Sequence, residues 1–97
     1  MNRKRAKELG LRVEKSQRKN KKWDAYDLET GEYQASFGHV DYDDYASFLA
    51  KTRRGELPKG TADKRRKAYH ARHAKNAAVR KRNGKFTAGY LAAELLW

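Results

Sequence analysis

Three observations predict an α+β fold for this chain. Apolar residues alternate with polar ones through 33–37, opposite a second aromatic run at 23–28, and this reads as a β-hairpin. Apolar residues recur at helical spacing in 42–49 and again from 88 onward, each group behind a capping residue. Lys/Arg-rich stretches without apolar periodicity flank and separate these blocks. The expected architecture is a small antiparallel hairpin or sheet of two or three strands, with short helices packed on it and an extended basic N-terminal arm.

In chain order, residues 1–22 read as the arm and 23–97 as the domain. Ala6, Leu9 and Val13 form a weak helical stripe broken by Gly10, and Lys15 through Lys22 contains no apolar residue. Like charges this dense repel, so the arm is expected to lack order until a partner neutralises it. In the hairpin, Trp23, Tyr26 and Leu28 supply one strand, and Tyr33, Ala35 and Phe37 the other. Gly31 suits the left-handed position of the turn between them, and Gly38 ends the second strand. Residues 41–51 read as a helix capped by Asp41, with Tyr42, Tyr45, Phe48 and Leu49 on one face. Residues 53–60 lose periodicity and read as a loop. A second helix is expected over 62–76, capped by Thr61, with Asp63 in its first turn. Residues 79–85 read as another basic loop. Thr87 then caps a last helix, 88–97, with Leu91, Ala92 and Leu95 on one face. Three large apolar residues at its end, Leu95, Leu96 and Trp97, are expected to be buried against the hairpin or a partner.

A chain of 97 residues is expected to form one small domain with a thin core. Apolar residues make up 38% of it and charged residues 37%, a balance common in proteins that a partner stabilises. The net charge of +12 is unevenly laid out. Residues 1–22 hold ten Lys/Arg against two acids, a net of +8; residues 23–50 hold seven acids and no Lys/Arg, a net of −7. Residues 51–97 hold fourteen Lys/Arg against three acids, a net of +11. A chain that is basic, acidic and basic again differs from a uniformly basic nucleic-acid tail. It suits a two-sided piece of an assembly.

Cysteine is absent, which excludes disulfides, thiolate metal sites and a cysteine nucleophile and fits a reducing compartment. No apolar run approaches the roughly 18 residues of a membrane span, and Arg3-Lys4-Arg5 is not followed by the apolar stretch of a secretory signal. His70 and His73 lack further ligands for zinc. Asp41, Asp43 and Asp44 lack the spacing and closing Glu of a calcium loop, and cap and dipole roles explain them. No nucleophile elbow, phosphate loop or dinucleotide fingerprint occurs. The chain is therefore expected to be no enzyme and to need neither metal, cofactor nor small-molecule substrate. Lys64-Arg65-Arg66-Lys67, with Tyr69 and Arg72, makes a helix able to contact phosphates or an acidic protein surface. The expected partner-binding residues are Arg3, Lys4, Arg5, Arg18, Lys19, Lys21, Lys22, Arg53, Arg54, Arg65, Arg66, Arg72, Arg80 and Arg82. Trp23, Phe37, Tyr45, Tyr69, Leu95 and Trp97 are expected to form the core or an anchor.

Residues 23–97 carry Ser36-Phe37-Gly38, an acidic tyrosine-containing segment, Arg65-Arg66-Lys67-Ala68-Tyr69-His70-Ala71-Arg72-His73, Phe86-Thr87-Ala88-Gly89-Tyr90 and Leu95-Leu96-Trp97. This series resembles a group of small basic proteins of large double-stranded DNA viruses, both tailed phages and nucleocytoplasmic large DNA viruses. The Arg-Arg-x-x-Tyr-x-x-Arg-His run is its most specific part. The arm lies outside the pattern, and residues 53–60 look like an insertion in it. The resemblance implies a virion context and no catalytic residues. The expected function is a virion structural protein, a minor capsid or cement component binding capsid proteins through its arm and basic loops. The alternative is non-specific nucleic-acid binding, in genome condensation or as a ribosomal-type RNA binder. The expected location is the virion, otherwise the cytoplasm or nucleus.

Overall fold

The hairpin expected over residues 23–38 forms and sits at the centre of the fold. The computed structural model describes all 97 residues. Numbering strands and helices in chain order, β2 (Lys21–Asp27) pairs antiparallel with β3 (Tyr33–His39). Asp27 shapes the turn: its carboxylate accepts from the Glu29 and Thr30 amides, each at 2.9 Å, and these two bonds hold its pKa below the usual range. Gly31 takes φ of +75°, as the turn requires.

The segment 1–22 corrects the expectation of a disordered arm. It folds as α1 (Arg3–Glu8), β1 (Leu11–Lys15) and the first residues of β2, so the boundary drawn at residue 22 falls inside a strand. β1 adds to the hairpin as a third strand, giving the order β1-β2-β3, and Val13, read as part of a helical stripe, is paired with Ala25. The physical reason is twofold. Ala6, Leu11 and Val13 are buried, so the segment carries its own share of the core. Several of its cations are engaged within the chain: Arg5 meets Glu94 at 3.0 Å, Arg3 lies over Trp23, Arg12 over Tyr26 and Arg18 over Tyr33. Asn2 caps α1, and its backbone amide donates to the Leu95 carbonyl at 2.8 Å, tying the two ends of the chain together.

The strand pairing sorts the sheet into two faces. Leu11, Val13, Ala25, Ala35 and Phe37 are buried against Ala6 of α1 and Leu91 and Leu95 of the last helix. Alanines at the sheet centre let that helix approach closely, and Leu91 is fully buried. The opposite face is polar and aromatic. There Asp24 accepts from the Ser16 and Ser36 hydroxyls at 2.7 and 2.5 Å. Burial opposes ionisation of Asp24, but these two bonds together with the Arg18 cation and the Gln17 amide outweigh it and the pKa falls.

The helices follow their caps more than their apolar spacing. α2 spans Tyr45–Arg53 and begins later than expected, because Asp44 and not Asp41 is its cap. Asp44 accepts from the Ser47 amide at 3.1 Å and from Lys22 at 3.3 Å. Burial works against its ionisation, yet the Ser47 amide and Lys22 together hold its pKa below the usual value. α3 spans Thr61–Ala77; Thr61 is inside the helix, and Gly60, at φ of +89°, occupies the cap position without a side-chain bond. The Thr61 hydroxyl donates instead to the Pro58 carbonyl at 2.7 Å. The expected loop over 79–85 contains a small hairpin, β4 (Lys81–Arg82) and β5 (Lys85–Phe86). Asn83 and Gly84, at φ of +54° and +78°, supply the paired positive angles that a two-residue turn demands. α4 (Ala88–Leu95) starts at its expected cap, Thr87, whose side chain accepts from the Tyr90 amide.

Candidate binding cleft and basic helix

α3 forms because most of its residues are alanine, lysine or arginine, which lose little on entering a helix. Its burial is slight: only Ala62 is fully enclosed, and Lys64, Arg65, Arg66 and Lys67 are all exposed. Asp63, its single acid, accepts from the Tyr45 hydroxyl at 2.9 Å and makes no ion pair. Two arginines fasten α3 to α2 through rings: Arg65 lies 5.7 Å from the Phe48 centroid and Arg66 4.7 Å from that of Tyr45.

The spacing of Arg65, Tyr69 and His73, four residues apart, lines them along one side of α3. Tyr69 is the hinge of a ring array. It stacks on Trp97 at 4.7 Å and 9°, and His73 sits 4.3 Å away on it at 31°. Trp97 in turn meets Phe48 at 6.0 Å. Burial raises the Tyr69 pKa, partly opposed by the neighbouring Arg72 cation.

This array is one wall of a cleft of about 720 Å³, bounded by the end of β3, α2, α3 and the C-terminal turn. Such a volume falls within the usual range for ligand pockets. Gly38 forms part of the floor; at φ of +78° its backbone passes Leu96 so closely that a Cβ would lie 2.9 Å from Leu96 Cδ1. Lys21, Lys22, Arg65 and Arg72 line the cleft together with His39 and His73. Its two acids are already engaged: Asp43 pairs with Lys51 at 2.7 Å and Asp44 with Lys22. Lys21, Arg65 and Arg72 thus bring three positive charges with no acidic partner. The side chains bring an aromatic stack and unpaired cations to one cavity.

The other predicted contact residues divide into two groups. Arg3, Arg18 and Arg80 lie over rings, and Arg54 pairs with Glu56 at 2.7 Å. Seven Lys or Arg side chains cover aromatic rings in this way, against about one significant instance per 70–80 residues in proteins generally. They extend a thin apolar core with cationic lids. Lys4, Lys19, Arg53 and Arg82 have neither an acid nor a ring and stand exposed. Of the expected core or anchor residues, Phe37 and Leu95 are buried, while Trp23, Tyr45, Tyr69 and Trp97 are half-buried. Phe48, Gly38, His39 and His73 were not among the expected site residues. The three- and four-residue spacing puts His73 on the side of Arg65 and Tyr69, and helical spacing puts Phe48 on the apolar face of its helix; nothing local marks Gly38 or His39 as site residues.

His70 stands edge-on to Tyr69 at 5.8 Å, and His39 packs on Tyr42 at 4.9 Å, so each histidine has a ring neighbour. No group of three or more His, Cys, Asp or Glu side chains is placed to hold a metal ion, and no helix is long and apolar enough to cross a membrane. Comparison with family models, with curated proteins and with solved structures returns no match.

Proposed function

We propose that the protein is a structural component of a viral particle, a minor capsid or cement protein that acts by binding and not by catalysis. Its partner is an acidic face of the capsid lattice, met by the outer side of α3 and the exposed cations Lys4, Lys19, Arg53 and Arg82. The observation that carries the binding mode is α3 itself: seventeen residues, one of them buried, with four consecutive exposed cations and no internal ion pair. A helix this polar on all sides gains little from the core it borders, and its like charges oppose one another. An anionic surface removes that repulsion and makes the helix useful. The virion context rests on the resemblance of residues 23–97 to small basic proteins of large DNA viruses.

The test is co-purification. Empty particles, which lack genome, are expected to retain the protein at the same ratio to the major capsid protein as filled ones. Lys64→Glu with Lys67→Glu is expected to reduce incorporation strongly while leaving far-UV circular dichroism unchanged. Absence of the protein from empty particles overturns the proposal.

A further inference from the structure

We infer that the cleft between the end of β3, α2, α3 and the C-terminal turn is a binding site for single-stranded nucleic acid. This goes beyond the capsid-docking reading; of the four consecutive α3 cations that reading counts, only Arg65 lines the cleft. Bases stack on aromatic rings, and the Trp97–Tyr69–His73 stack in the cleft, with Phe48 tilted against Trp97, is one that a base can continue. Phosphates need cations that no carboxylate already holds. Lys21, Arg65 and Arg72 meet that condition, because the cleft's acids are bound to Lys22 and Lys51. Both requirements are met in one cavity of about 720 Å³. A duplex keeps its bases stacked inside and cannot present them to this wall. An acidic peptide would use the cations but has no need of an aromatic stack beside them. Lys64, Lys67 and Lys75 do not line the cleft, so the site is separable from the outer face of α3.

Trp97 lies in the wall and the other tryptophan, Trp23, lies in β2, so a Trp23→Phe protein reports on the cleft alone. Oligo(dT) of twelve nucleotides is expected to quench its fluorescence, and oligo(rU) of the same length distinguishes RNA from DNA as the preferred strand. With three phosphates neutralised, log K is expected to fall against log salt with a slope of about −2. Arg72→Ala or Lys21→Ala, each removing a cation that holds neither an acid nor a ring, is expected to make that slope shallower by about 0.7. Lys64→Glu with Lys67→Glu is expected to leave the quench and its competition pattern in place. Fluorescence anisotropy of a labelled oligonucleotide with the unaltered protein gives the same readout if Trp23→Phe lowers stability. The inference is overturned if neither oligonucleotide binds. It is also overturned if a duplex or polyglutamate competes as well as the single strand, or if Arg72→Ala binds unchanged.

Discussion

The rings of Tyr69 and Trp97 stack, their centroids 4.7 Å apart and their planes within 9° of parallel, although 28 positions separate them in sequence. The pair joins the middle of α3 to the end of the chain. Because α3 buries almost nothing else, this stack is a principal fixing of the helix to the rest of the fold. Trp97→Ala is expected to destabilise the protein by about 2–3 kcal/mol, less than a fully buried Trp because Trp97 is only half-enclosed. A double-mutant cycle with Tyr69→Ala in urea unfolding is expected to give a coupling of about 1 kcal/mol. Additive effects would show that the two rings do not support each other.

Removing residues 1–22 tests whether that segment belongs to the domain. The truncated chain loses β1 and uncovers the edge of β2, along with the surface that Ala6, Leu11 and Val13 bury. It is expected to lose cooperative thermal unfolding and to aggregate, since an open hydrophobic edge invites pairing with other chains. A truncated protein that melts like the full chain would return residues 1–22 to the status of an arm.

Gly38→Ala is expected to cost about 2–3 kcal/mol in denaturant unfolding, from left-handed strain and overpacking together. The added Cβ would meet Leu96 Cδ1 at 2.9 Å and Lys22 Cβ at 3.2 Å. Gly31→Ala has the same sign of φ but open space around it, so it is expected to cost only about 1 kcal/mol. Equal effects would mean that the close approach of Leu96 is unimportant.

Asp44 links stability to pH. Its pKa is depressed in the folded state, so its contribution is fully present above the unfolded value near 3.9 and fades as pH falls through the folded value. Asp44→Asn keeps a good cap but cannot ionise or pair with Lys22. The variant is expected to be slightly less stable at neutral pH and to show a flatter loss of stability as pH falls below about 4. Asp44→Ala, which removes the cap as well, is expected to lose about 1–2 kcal/mol at neutral pH. Melting temperatures measured across this range check both.

The α+β class, the central hairpin with Gly31 in its turn and the Thr87-capped last helix follow from local rules of alternation, turn chemistry and capping, and these are written in neighbouring residues. Asn83-Gly84 carried a hairpin signal of the same local kind, masked by the lysines and arginine around it. Charge was the misleading quantity. Ten cations in residues 1–22 argued for disorder because the groups that engage several of them come from other elements: Glu94 lies 89 positions from Arg5, and the rings of Trp23, Tyr26 and Tyr33 come from β2 and β3. The cleft shows the same division. The four-residue spacing placed Arg65, Tyr69 and His73 on one side of a helix. Only the folded chain brings Lys21 from β2 and Trp97 from the C-terminus to that side, and only there do Lys22 and Lys51 engage the two acids of the cleft. The sequence by itself determined the central hairpin, the last helix and the total charge; the tertiary structure decided which charges are spent inside the fold, because electrostatic pairing acts through space and not along the chain.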